Sequence, residues 1–165
     1  MTVSTSGILP GIERFAAEKV RPKLALSLNA PNDAIRESIM PITRKWNIEA
    51  LFAALRTVPL RTRERMTFEY VLLAGVNDSI SQARTLGRLL SPFRSKVNLI
   101  PFNPFSGSPF QRPTEAAVTA FQDTLSGFHI TATVRKSMGP DVLAACGQLA
   151  RELQDPLVLT GGSPT

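Results

Sequence analysis

Cysteine is almost absent from this chain: Cys146 is the single one in 165 residues. One thiol makes no internal disulfide and holds no metal by itself, so a disulfide scaffold is excluded and the composition fits a reducing compartment. Cys146 is either packing material or a reagent. Histidine is equally scarce. His129 is the sole one, at the start of a strand-like run, and is given no role. No apolar run approaches the ~18 residues of a membrane span. The opening MTVSTSGILPGIERF lacks the basic start and continuous apolar stretch of a secretory signal. A cytoplasmic protein without a membrane partner is the expectation. No lysine-rich tail or basic arm is present either; the basic residues are spread through the chain, with a local group Arg56, Arg61, Arg63 and Arg65 and a pair Arg135 and Lys136.

What is present suits one globular domain. The length is enough to bury a core, and 43% of the residues are apolar, which is not a disordered composition. The net charge of +6 favours a polyanionic partner, of which nucleic acid is the commonest, although a basic surface also serves solubility alone.

Short β-prone runs alternate with segments of helical period. TVST (2–5), KLALSL (23–28), MTFEYVLL (66–73), KVNLIPF (96–102) and HITATVRK (129–136) read as strands. Helices are expected over 8–19 with Pro10 in the first turn, 33–40, 47–58 capped by Asn47, 79–91 capped by Ser79, 114–126 capped by Thr114, and 140–154. Ile48, Leu51, Phe52 and Leu55 share one face of the third of these. Trp46 and the phenylalanines at helical or strand spacing read as core. The alternation argues for βαβ units and a parallel sheet, and the mostly apolar strands suggest that both sheet faces are covered. The residues after each strand are rich in Ser, Asn, Asp, Gly and Pro: VSTSG, SLNAPND, LLAGVND, IPFNPFSGSP and VRKSMG. In parallel α/β folds ligands bind outside the carboxyl ends of the strands, so these loops mark the expected active face. Turn chemistry alone also accounts for each of them. The chain opens almost directly in a strand, which leaves one edge of the sheet uncovered. Another chain, or a segment before residue 1, is expected there.

Four stretches carry a family likeness: LALSLNAPNDAIRESIMPITRKWNIEALFAAL, TFEYVLLAGVNDS, KVNLIPFNPFSGSPFQRP and VRKSMGPDVLAACGQLA. In order and over about residues 2–150, they resemble the radical S-adenosylmethionine enzymes that methylate C2 of adenine in 23S ribosomal RNA. The related C8 methyltransferases are similar. The resemblance implies an α/β fold, part of a TIM-barrel-like radical-SAM (β/α)6 barrel truncated at its N-terminus. Residues 1–153 would form that part, and 154–165 a flexible tail. The implied cofactors are S-adenosylmethionine and a [4Fe-4S] cluster. The implied partners are 23S rRNA, with transfer RNA as an additional substrate, and a missing N-terminal half. By position Cys146 matches the catalytic cysteine, which takes a methyl group on sulfur. A 5′-deoxyadenosyl radical then abstracts hydrogen from that methyl, and the carbon radical adds to the adenine. Such a route suits an electrophilic amidine carbon, which polar methyl transfer does not reach. Ser4, the run Ser27, Leu28 and Asn29, and Asn103 match the family's contacts to S-adenosylmethionine.

Three features of the family are missing. The cluster needs C-x3-C-x2-C, and this chain has one cysteine. The Gly-Glu segment that holds the cofactor's amino group and the second cysteine are also absent. Asn29 stands where His is frequent, and Met138 and Pro140 stand where Arg and Asp are common. The expectation is therefore the C-terminal portion of such an enzyme, from a split, truncated or wrongly started gene, with no cluster ligands and no activity alone. A non-catalytic module that binds RNA or complements another chain is the alternative. Read without the likeness, Cys146 lies at helical spacing with Val142, Leu149 and Leu153 as a buried small hydrophobe, whereas the family holds it on a loop. Ser4, Ser27 and Asn103 are then ordinary strand-end and turn residues, and Asn77 and Asp78 turn and cap.

Overall fold

The computed structural model of the protein describes residues 1–135. The expected helix at 140–154, the tail and Cys146 lie outside them. The elements run β1 (Thr2–Thr5), α1 (Leu9–Ala17), β2 (Lys23–Ser27), α2 (Asp33–Ile39), a 3₁₀ turn (Pro41–Arg44), α3 (Ile48–Arg56), β3 (Met66–Leu72), α4 (Ile80–Leu90), β4 (Ser95–Pro101), α5 (Glu115–Ser126) and β5 (Thr131–Val134). All five strands are parallel and lie in the order β1-β2-β3-β4-β5. Among the described residues β1 pairs only with β2, and β5 only with β4.

Local chemistry starts the helices. Asn32, Asn47, Ser79 and Thr114 each accept a backbone N–H of the first turn, and Ser79 with Gln82 forms a reciprocal capping box. Pro10 occupies the first turn of α1, where its missing N–H costs nothing. No helix among the described residues is long and apolar enough to cross a membrane.

Consecutive parallel strands joined by right-handed crossovers put every connecting helix on the same side of the sheet. The core lies there. Leu24, Leu26, Phe68, Tyr70, Val97 and Leu99 from the strands join Ile12, Leu51, Leu55, Leu86, Phe121 and Leu125 from the helices in one buried cluster. Burial of each such side chain contributes about 1.5–3 kcal/mol. Phe52 stacks on Phe68 with ring centroids 5.7 Å apart, and Phe93 meets both rings edge-on. Gly87 on α4 lets Phe128 lie against the helix, since a Cβ there would sit 2.4 Å from the Phe128 ring.

The mostly apolar strands suggested that both faces are covered; the opposite face is in fact mainly polar. It carries Ser4, Ala25, Ser27, Thr67, Glu69, Lys96, Asn98, Thr131 and Thr133, one strand to the next in register. Period-two alternation is thus real in β3 and β4, hidden in the sequence because Phe68, Tyr70, Val97 and Leu99 dominate those strands. The last strand begins at Thr131 and not at His129. His129 has φ 59, and its N–H closes onto the Ser126 carbonyl at 2.9 Å, so it ends the turn after α5. Trp46, read as core, is only half-buried, under the Lys45 ammonium.

Candidate functional site

The parallel arrangement brings the strand–helix loops after β1, β2, β3 and β4 to one end of the sheet. There Ser4 of β1 and Ser27 of β2 meet a residue that sequence reasoning missed. Both hydroxyls donate to the same carboxylate oxygen, Oε2 of Glu69 on β3, at 2.9 and 3.3 Å. Ser27 is in register with Glu69, Glu69 with Asn98 on β4, and Asn98 with Thr133 on β5, whose hydroxyl donates to Asn98 Oδ1 at 3.0 Å. A polar row therefore crosses four strands. The signal for Glu69 was a lone carboxylate inside the apolar run MTFEYVLL.

Leu28 and Asn29 follow directly. Leu28 is fully buried, with its N–H on the Glu69 carbonyl and its carbonyl taken by Arg36 Nε at 3.0 Å. Asn29 adopts φ 60, a conformation that Asn tolerates better than most residues. Its Oδ1 accepts the Val71 N–H at 2.9 Å, and its amide nitrogen lies 3.3 Å from the Met40 sulfur. Its carbonyl accepts from Asn77. Asn29 acts as a latch between β2 and β3.

Two buried polar residues hold these loops in place, and neither was singled out as a site residue from the sequence. Arg36, with no exposed surface, donates to the carbonyls of Ser6, Ser27 and Leu28 and to the Thr43 hydroxyl. Burial lowers its pKa from the ordinary guanidinium value, and the nearby Asp33 charge opposes that. Gly7, at φ 100, sits where a Cβ would press on Leu51 and on Arg36. Asn77, also without exposed surface, donates to the carbonyls of Asn29 and Val71 and accepts the Leu73 N–H at 2.7 Å. Its own carbonyl takes the Tyr70 hydroxyl, whose pKa burial, and then Asp78, push upward. Asp78 accepts the Gly75 N–H, as a turn residue does.

Asn103 lies just past β4 at the same end. Its Oδ1 accepts from the Arg112 guanidinium. The segment around it folds back on the sheet through Phe102 N–H to the Leu72 carbonyl and Ala74 N–H to the Gln111 carbonyl, both 3.0 Å. The structure thus joins Ser4 to Ser27 through Glu69, sets Leu28 and Asn29 beside them as framework, and puts Asn103 two strands away on the same rim.

A carboxylate flanked by two hydroxyls accepts hydrogen bonds from a vicinal diol or an ammonium, and each hydroxyl keeps lone pairs for a further donor. S-adenosylmethionine carries both a ribose diol and an ammonium, so this donor set fits it. An iron–sulfur cluster does not fit. It requires several thiolates, the sequence has one, and the described residues hold no group of three or more His, Cys, Asp or Glu placed around a metal.

No family model matches the chain. Individual proteins do. The chain is 56% identical over 151 residues to the probable dual-specificity RNA methyltransferase RlmN of Koribacter versatilis, covering 92% of this chain and 44% of that protein. It is 50% identical over 156 residues to the dual-specificity RNA methyltransferase RlmN of Nitratidesulfovibrio vulgaris, covering 94% and 42%. Among solved structures, a radical SAM methyltransferase from Sphaerobacter thermophilus superposes with a TM-score of 0.79 at 47% identity, over 89% of this chain and 43% of that one. The chain thus matches the C-terminal portion of radical SAM RNA methyltransferases. It spans less than half the length of the relatives it matches. A domain of a pyruvate-formate lyase-activating enzyme from Bacteroides vulgatus shares the fold alone, with a TM-score of 0.62 at 15% identity. The parallel α/β sheet is therefore part of a radical-SAM barrel.

Proposed function

We propose that this chain is the cofactor-binding and methyl-carrying part of an RNA methyltransferase that acts on C2 of an adenine in 23S ribosomal RNA, with transfer RNA as a further substrate. The convergence of Ser4 and Ser27 on Glu69 carries this reading, in a chain 56% identical to a dual-specificity RNA methyltransferase. In this reading Ser4, Ser27 and Glu69 bind the polar groups of S-adenosylmethionine, Leu28 and Asn29 shape the floor, and Asn103 contributes its amide from the rim. Bound there, the cofactor supplies an electrophilic methyl group. Cys146 would be the residue that receives it, a thiolate being the side chain here that is nucleophilic enough to take a methyl group. The chain has no second thiol and no cluster ligands, so in isolation it does not complete transfer to the base.

S-adenosylmethionine titrated into the chain and followed by amide NMR tests the cofactor site. Shifts are expected at Ser27, Glu69 and Asn103, and Glu69→Gln is expected to weaken binding about tenfold, the equivalent of ~1.4 kcal/mol, without lowering the melting temperature appreciably. No shift at saturating cofactor, or equal affinity in Glu69→Gln, overturns it. An S-methyl group on the Cys146 peptide of protein isolated from cells tests the carrier role.

A further inference from the structure

The amino ends of the strands, remote from the cofactor rim, border an open cleft of ≈ 950 Å³. Three arginines line it from two separate segments: Arg63 and Arg65 ahead of β3, and Arg94 ahead of β4. His129 and Phe128 close it ahead of β5. The one carboxylate facing the cleft, Glu64, is already engaged by Arg21 and by the Arg61 N–H, so the wall is positive. Arg65 is aimed by its bond to the Thr131 hydroxyl at 2.9 Å. Ser95, 8% exposed, stands in the wall with a hydroxyl that has no hydrogen-bond partner. Two of the lining residues, Arg63 at φ 65 and His129 at φ 59, hold left-handed backbone, a strain that concentrates where structure serves a ligand.

We propose that this cleft binds backbone phosphates of the RNA substrate, as a contact separate from the cofactor rim; the assignment rests on the reading of the chain as part of an RNA methyltransferase. The volume exceeds what one phosphate needs, and arginines splayed from two segments match successive phosphates along a strand. Each guanidinium fork grips a phosphate through two N–H donors. Phe93 and Phe128, both packed against the core, border the same cleft and stiffen its wall. The arginine group noticed in the sequence is divided by the fold to this end. Arg61 turns to the Arg21 carbonyl, Arg56 lies over the Phe93 ring at 5.6 Å, and Arg63 and Arg65 face the cleft.

Fluorescence anisotropy with a labelled single-stranded RNA of about 16 nucleotides tests this. Arg63→Gln/Arg94→Gln is compared with Arg84→Gln/Arg88→Gln, which removes the same charge from the exposed side of α4. The cleft variant is expected to lose at least tenfold in affinity and to flatten the log K against log salt slope by about 1.4, two phosphate contacts' worth, while the α4 variant moves far less. Single Arg63→Gln, with about half the slope change, serves if the double variant melts early. Equal losses in both double variants, or none in the cleft variant, overturn the proposal. So does inorganic phosphate that shifts the Ser95 and His129 amides when RNA does not, which would mark a free-anion site. Cofactor binding at Ser27 is measured on the same samples. Wild-type chain that binds S-adenosylmethionine but no RNA sinks this proposal and leaves the cofactor reading standing, whereas binding of neither sinks both.

Discussion

Each end of the sheet buries one arginine, in opposite surroundings. At the carboxyl ends Arg36 is ringed by neutral oxygens, three carbonyls and one hydroxyl. At the amino ends Arg21 faces the Glu64 carboxylate at 3.2 Å, both side chains 4% exposed. The first arrangement satisfies backbone groups that loops leave without partners, and so shapes the rim on which Ser4, Ser27 and Glu69 converge. The second ties two segments of chain together and, by consuming the one carboxylate of the amino-end cleft, leaves that cleft basic. One arginine orders backbone; the other removes a negative charge.

The largest test of this contrast is Arg36→Met. It strips the donors from three buried carbonyls and Thr43 and should cost about 3 kcal/mol or more, read as a lower urea midpoint. Hydrogen exchange should rise first at the Leu28 and Asn29 amides, both directed to the Glu69 carbonyl. Uniform loss of protection across the sheet would mean Arg36 supports the whole fold and not the rim.

Gly87→Ala probes the amino end with a packing change. Helix propensity alone favours Ala by ~1 kcal/mol. The new methyl would meet the Phe128 ring at 2.4 Å, so a net loss of about 2 kcal/mol is expected in thermal melts. A gain in stability would show that Phe128 moves freely, and with it the wall of the cleft.

The smallest effect comes from pH. Burial pushes the Glu64 carboxyl upward, but the Arg61 N–H, the Arg21 hydrogen bond and the charges of both arginines outweigh it and hold its pKa below the ordinary 4.5. A carboxyl depressed in the fold adds stability above its unfolded pKa and loses it as pH falls through the folded one. Glu64→Gln should therefore trail wild type by about 1.5 kcal/mol near neutrality, and the gap should narrow only as pH falls below the ordinary carboxyl range and through the depressed pKa of the fold. A gap unchanged with pH would mean the pair contributes shape and not charge.

Much of the frame was legible in the residues. Capping side chains before apolar periods placed α3, α4 and α5 and named Asn47, Ser79 and Thr114, because a cap is a local bond between near neighbours. The 3₁₀ turn Pro41–Arg44 was not foreseen, nor the late start of β5, where the chain first spends Phe128, His129 and Ile130 closing α5. Of the site, Ser4, Ser27 and Asn103 were named by the family resemblance, since their positions after strands are equally those of ordinary turn residues, and the fold sets them at one end of the sheet. Glu69, Arg36 and Asn77 were not. Their partners lie up to 65 residues away, as Glu69 does from Ser4, and no local pattern encodes such a distance.

The sequence by itself determined the alternation of strand and helix, the caps, the positive charge and the single thiol, all properties of neighbours along the chain. Only the tertiary structure decided that one face of the sheet is polar, that two serines share a carboxylate, and that a basic cleft opens at the far end. Those follow from strand register and crossover handedness, which bring distant residues side by side and cannot be read one segment at a time.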